Sequence, residues 1–197
     1  MTGIKMNIYL VRHTKPDVDV GVCYGLTDID VADSFEAELC LLKDKIAHIS
    51  QPLVFSSPLK RCSKLAEQLA AHLDATHVKT DVRLSELNFG DWELQNWADI
   101  PQGVVEEWTD DHIKQAPPNG ESYIDLHHRA KQFFEELKSN QEGRHALVVT
   151  HAGVIRALVA EAMNLPLREA CKVEVGYGSV TRIIIQDGVT QVAFVNR

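Results

Sequence analysis

Two short runs in this chain, Ile8-Tyr9-Leu10-Val11 and Ala146-Leu147-Val148-Val149, are apolar at every position. A strand with one wet face alternates polar and apolar residues. A strand that is apolar throughout must be covered on both sides, as the strands of parallel sheets are. Helical segments alternate with the strands and supply that cover. Strands are expected at 7–11, 52–57, 77–80, 145–150, 173–175, 180–185 and 189–195, with a tight turn at Asp187-Gly188 joining the last two. A first helix is expected behind Asp33, where Glu36 completes a capping box and Phe35, Leu39, Leu42 and Ile46 form a stripe. Further helices are expected at 58–72, with Pro58 in its first position behind a Ser57 cap, at 122–137 and at 153–163. The expected fold class is therefore α/β: a three-layer α/β/α arrangement, with a mostly parallel sheet and helices on both faces. At 197 residues, the whole chain (1–197) is expected to be one domain. Residues 12–32 form a long loop. Residues 81–120 read as irregular, carry all three tryptophans (Trp92, Trp97, Trp108), and are expected to form a cap or insert over a site.

Composition excludes several function classes. A formal net charge of -8 speaks against nucleic acid or an anionic membrane as partner, while leaving room for a small anion bound by a local basic cluster. No apolar run reaches bilayer length, and the N-terminus shows no signal-peptide pattern. Cys23, Cys40, Cys62 and Cys171 form no C-x-x-C pair and read as free thiols of a cytoplasmic protein. The nine histidines include no H-E-x-x-H, and His127-His128 are helix neighbours that point to different faces, so neither a metal nor another cofactor is expected. Nothing in the sequence specifies an oligomer.

The chemistry gathers where strands end. Open α/β sheets bind ligands at the carboxyl ends of their strands. The first strand ends in Arg12-His13. Alone, this pair reads more readily as a surface arginine beside a structural histidine. The run 145–150 ends in His151, and Ala152-Gly153 allows a helix to start at once. The strand at 52–57 leads into a helix whose first turn holds Arg61. Helix N-termini attract anions, and a guanidinium holds phosphate through two parallel hydrogen bonds. Two histidines and two arginines at strand ends of one sheet are much harder to explain as structural than any one of them. Glu86 and Glu93 lie near aromatics, where a carboxyl group can hold a proton at neutral pH. Together these residues describe phosphoryl transfer. A neutral imidazole attacks phosphorus, cations neutralise the equatorial oxygens, and a carboxylic acid protonates the leaving oxygen.

Five segments carry a family resemblance: Leu10-Val-Arg-His-Thr14, Ser56-Ser-Pro-Leu-Lys-Arg61, Leu84-Ser-Glu-Leu-Asn-Phe-Gly-Asp-Trp-Glu93, Pro118-Asn-Gly-Glu-Ser122 and Val149-Thr-His-Ala-Gly-Val-Ile-Arg156. In order and spacing the chain resembles the histidine phosphatase superfamily, also called phosphoglycerate mutase-like, over nearly its whole length. The resemblance implies a phosphoglycerate mutase-like fold and a phosphoric monoester hydrolase. It also implies that His13 is the phosphorylated nucleophile, that Arg12, Arg61 and His151 form the phosphate pocket, and that Glu86 is the proton donor. Glu93 is expected to be structural, at the start of the next helix. Two positions depart from the broad family pattern. Thr14 stands where most members have glycine. Leu94 replaces a glycine, with an expected effect on local packing only.

The loop Arg12-His-Thr-Lys-Pro-Asp17, followed by Gly21-Val-Cys-Tyr-Gly-Leu-Thr-Asp28, resembles one subgroup, the alpha-ribazole phosphatases of cobalamin nucleotide-loop assembly. That likeness implies a small phosphorylated substrate, alpha-ribazole phosphate or phosphorylated cobalamin. It makes Thr14 a phosphate contact and Cys23, Tyr24 and Gly25 candidate substrate contacts. Three rivals remain at the level of sequence: another family activity such as a broad phosphatase, sugar-phosphate phosphatase or mutase, a non-catalytic binding domain, and a metal-dependent hydrolase.

Overall fold

A computed structural model describes residues 5–139 and 145–197. The N-terminal stretch read for a targeting signal begins outside them. β1 (Lys5–Arg12) leads through a long loop to α1 (Phe35–Ile46). There follow β2 (Leu53–Ser56), α2 (Lys60–His72), β3 (Val78–Thr80) and α3 (Gln102–Asp110). The chain ends with α4 (Tyr123–Ser139), β4 (His145–Thr150), α5 (Ala152–Met163), α6 (Leu167–Ala170), β5 (Val180–Gln186) and β6 (Val189–Phe194). The six strands lie in the order β3-β2-β4-β1-β5-β6. The first four of that order are parallel, and β5 and β6 close the edge antiparallel.

The continuous apolar runs are explained by two separate cores. Ile8, Leu10, Ala146 and Val148 point to the face covered by α4 and α5. Tyr9, Val11, Leu147 and Val149 point to the face covered by α1 and α2. Alternate residues thus serve opposite cores, as the period of two in a strand requires. β6 alternates half-buried and exposed residues, consistent with its place at the sheet edge. Asp187 and Gly188 both have positive φ (54° and 77°), the backbone of a type I′ hairpin. No helix among the described residues is long and apolar enough to cross a membrane.

The structure corrects four local expectations. Residues 173–175 form no strand. Helix α2 begins at Lys60, two residues beyond Pro58, because its N-terminal cap comes from far away: Asp28 Oδ1 accepts the Lys60 N–H at 2.7 Å. The Asp33–Glu36 capping box does not form. Instead Ser34 lies at the helix start and donates to Glu38 Oε1 at 2.6 Å, while Glu38 Oε2 accepts the Lys15 N–H. In both places an acid bridges a helix start and the 12–32 loop. The segment 81–120 contains α3, a helix with no fully buried residue, in addition to two short 3-10 turns.

Candidate active site

The parallel register brings the predicted residues together. Arg12 pairs with Thr150, and Ser56 with Val149, so His13, His151 and Ser57 leave neighbouring strands side by side. The His13 and His151 rings lie 5.1 Å apart, edge to face. Beside them opens a cavity of about 370 Å³, whose polar lining includes Arg12, His13, Tyr24, Glu86 and Arg156.

His13 is fixed in one tautomer. Its Nδ1 lies 2.7 Å from the Thr14 carbonyl oxygen, which can only accept, so Nδ1 carries the proton and Nε2 keeps a lone pair. Burial, then the Arg61 charge, then that of Arg12, hold its pKa well below the usual 6.5, despite the opposing Thr14 hydrogen bond. The imidazole is therefore neutral at neutral pH. His151 is lowered likewise, by burial first and then by His13, Arg61, Arg129 and Arg12. Its Nε2 lies 2.8 Å from Ser57 Oγ.

The two arginines are held by backbone carbonyls. Arg61 is 0% exposed and donates to the carbonyls of Thr27 (2.8 Å) and Gly25 (2.5 Å). Arg12 donates to the Val175 carbonyl at 2.6 Å, with its guanidinium 3.8 Å from the centre of the Tyr177 ring. Among the described residues neither pairs with a carboxylate. Arg12 Nε, Arg61 Nε and Thr14 Oγ1 are buried with no hydrogen-bond partner among the described residues. Buried donors are normally satisfied, and these three belong to residues that could together receive an oxyanion. Glu86 sits opposite: Oε1 accepts the Leu87 N–H (3.0 Å), and Oε2 accepts the Gly153 N–H (3.2 Å) in the first turn of α5.

Other expected residues are placed differently. Cys23 is 1% exposed, packs with Trp92 and Ile100, and does not line the cavity. Burial first, then Glu93, pushes its thiol up to about 12. Gly25 faces away too. A Cβ there would overlap the Leu87 carbonyl and the Phe89 ring, so its role is to let the loop pack closely while its carbonyl receives Arg61. Tyr24 lines the cavity, and its hydroxyl bonds that of Tyr177 at 2.6 Å.

Glu93 begins no helix. It follows the 3-10 turn 90–92 and accepts from Leu26 N, Thr27 N, Thr27 Oγ1 and Phe89 N, clasping the end of the 12–32 loop. Burial opposes its charge, yet these bonds hold its pKa below the usual carboxylate range. Leu94 is 62% exposed with φ +65°, so the missing glycine is felt in the backbone and hardly in packing. A leucine there costs about 1 kcal/mol.

Sequence reasoning left out the aromatic wall. Phe89, Trp97, Trp108 and His112 line the cavity, and the buried Trp108 indole N–H has no partner among the described residues. Clustering of tryptophans in 92–108 was the available signal. Tyr177, which braces Arg12, carried none.

The two depressed histidines make stability depend on pH. The unfolded chain takes up protons at its histidines near the ordinary value of about 6.5, while the native chain refuses them. Stability is thus complete above about pH 6.5 and declines as pH falls toward about 5, above the range of ordinary carboxylates. Urea midpoints should fall across this window in the native sequence and fall less in His151→Asn. A midpoint unchanged between the two ends of the window would contradict the burial of neutral imidazoles.

The model of the histidine phosphatase superfamily, branch 1, matches residues 8–197. The chain belongs to that superfamily. Its known relatives include the adenosylcobalamin/alpha-ribazole phosphatase of Salmonella typhimurium, 25% identical over 196 residues, covering 97% of this chain and 96% of that protein. Phosphoserine phosphatase 1 of Hydrogenobacter thermophilus is 26% identical over 166 residues, covering 82% of this chain and 78% of its own length. The crystal structure of the alpha-ribazole phosphatase from Shigella flexneri superimposes with a TM-score of 0.90 at 24% identity, covering 98% and 96% of the two chains, and shows the shared fold. The protein is a phosphatase of this superfamily, with the six-stranded mixed sheet of its structural neighbours.

Proposed function

We propose that the protein is a metal-independent phosphomonoesterase that works through a phosphohistidine at His13. Its proposed substrate is alpha-ribazole 5′-phosphate, free or as part of phosphorylated adenosylcobalamin. His13 Nε2 attacks phosphorus, and the bond to the leaving oxygen breaks while Glu86, as the acid, gives that oxygen its proton. The Thr14 carbonyl supports the charge that then develops on the imidazole through the Nδ1–H. Arg12, Arg61, Thr14 and His151 receive the phosphoryl oxygens. Water next attacks the phosphohistidine, Glu86 takes its proton, and inorganic phosphate leaves His13 restored. The four free thiols fit the expected cytoplasmic setting.

The observation that carries the substrate reading is the aromatic wall beside the nucleophile. Tyr24, Phe89, Trp97 and Trp108 offer ring faces and edges to a flat leaving group. A cavity of about 370 Å³ suits a ribosylated base, with any corrin ring left outside it. A phosphoserine side chain would leave this wall unused. The test is a panel of alpha-ribazole 5′-phosphate, phosphoserine, glucosyl-3-phosphoglycerate and phosphoglycerate. The expected result is a kcat/KM at least about tenfold higher for the ribazole ester, the scale of 1.4 kcal/mol of aromatic contact. Preference for phosphoserine or a phosphoglycerate would refute the substrate while sparing the phosphohistidine chemistry.

A further inference from the structure

We infer that Arg129 is a positioning residue for Glu86, anchored by Glu121, and that it sets the efficiency of proton transfer to the leaving group. The inference rests on the proposed role of Glu86 as proton donor. Glu86 belongs to neither a helix nor a strand. It lies in the loop between the turns 82–84 and 90–92, where a carboxyl group has no rigid support of its own. One side chain from α4 supplies that support. Arg129 Nη1 donates to the carbonyls of Arg83 (2.8 Å) and Ser85 (2.5 Å), and Nη2 donates to the carbonyl of Glu86 itself (3.0 Å).

The guanidinium is held in turn. Its Nε and Nη2 both bond the Glu121 carboxylate, Nε at 3.2 Å. Glu121 also grips the far side of the loop: its Oε1 accepts the Asn88 N–H at 3.3 Å, and its own N–H donates to the Asn88 carbonyl at 2.9 Å. The backbone is therefore tied on both sides of Glu86 to the start of α4. At the other end, the Glu86 carboxylate meets α5 at Gly153, where a Cβ would overlap Oε1. The carboxyl group is suspended between two helices, by Arg129 behind and Gly153 in front.

Arg129 does not line the catalytic cavity. With Ser85, Glu86 and Glu121 it lines a separate cavity of about 330 Å³ behind Glu86. It acts on the reaction through Glu86 and does not touch the substrate. A displacement of about 1 Å in a catalytic group can cost about 10²-fold in rate. A merely structural role for Arg129 would slow all substrates alike. A positioning role must appear in kcat/KM, which reports the transfer to His13, only where the leaving oxygen needs a proton.

Two phosphate esters separate these cases. Para-nitrophenolate leaves without a proton, whereas the alkoxide of benzyl phosphate needs one, and both present a ring to the same wall. Arg129→Ala should lose about 10²-fold in kcat/KM for benzyl phosphate and less than about threefold for para-nitrophenyl phosphate. Free guanidinium, admitted through the rear cavity, should restore the benzyl activity selectively. Glu86→Gln, measured in parallel, should show the same asymmetry more strongly. If Glu86→Gln is asymmetric but Arg129→Ala loses equally on both esters, the positioning role is overturned. If Glu86→Gln itself loses equally on both, the proton-donor reading falls and the inference falls with it. Should Arg129→Ala fail to fold, Glu121→Gln keeps the shape and one acceptor oxygen but withdraws the anchoring charge and the second acceptor. It must then show the asymmetry at about tenfold, and a symmetric loss overturns the inference.

Discussion

His13→Ala should abolish turnover, on the order of 10⁴- to 10⁶-fold in kcat, and leave no phosphoenzyme. The size follows from the geometry. Nε2 of His13 keeps a free lone pair in a cavity wall that also holds Arg12 and Glu86, because the Thr14 carbonyl commits the proton to Nδ1. His151 cannot take over: its Nε2 is engaged by Ser57 Oγ, and its ring is 5.1 Å from that of His13. Arg12, Arg61 and Thr14 survive the substitution, so vanadate should still bind within about tenfold of the native affinity. Acid-labile phosphate trapped on the native chain after rapid quench, and absent from the variant, is the direct readout. A variant that still turned over within about tenfold of the native rate, or still formed the acid-labile species, would rule out His13 as the nucleophile.

Much of this site is legible in the amino-acid sequence because strand ends are marked there. An apolar run stops where polar residues begin, so Arg12-His13 and Thr150-His151 announce two neighbouring strand ends. Parallel pairing then brings those ends together whatever lies between them in the chain. Arg61 is readable for a related reason, since it follows a strand and falls in the first turn of α2. Helix ends are where local rules fail. The rules for caps assume a nearby partner, and here Asp28 reaches 32 residues forward to cap α2, while Glu38 reaches back to Lys15. Mooring of a functional loop overrides the local preference.

The candidate substrate contacts are the least legible. Cys23 and Gly25 belong to the motif that suggests the substrate, yet the structure gives them packing roles: one fills the small core with Trp92, the other lets the loop pass close to Leu87. Only Tyr24 of that trio lines the cavity. The wall opposite comes from Phe89, Trp97 and Trp108, in a segment with no periodicity to fix which way a ring points. A tryptophan's burial is easily guessed from sequence. Which surface it borders depends on long-range contacts such as the pairing of Val22 with Asn96 and of Gly21 with Trp97.

Arg61→Met should lower kcat/KM by about 10²- to 10³-fold while changing stability by less than about 2 kcal/mol. The two effects separate because Arg61 is buried as a cation with no carboxylate beside it among the described residues. Its removal leaves the Gly25 and Thr27 carbonyls short of a donor, at about 1–3 kcal/mol each. It also relieves an uncompensated buried charge, whose penalty is several kcal/mol, so the terms nearly cancel. In the native chain that penalty is relieved only when an oxyanion arrives. Vanadate or inorganic phosphate should therefore raise the melting temperature of the native protein clearly, and of Arg61→Met little or not at all. The measurement pairs a thermal melt with and without vanadate against kcat/KM for the same two proteins. A variant that keeps its vanadate-dependent shift would show that the anion is held elsewhere. One that loses more than about 4 kcal/mol would show that the buried guanidinium is there to support the fold.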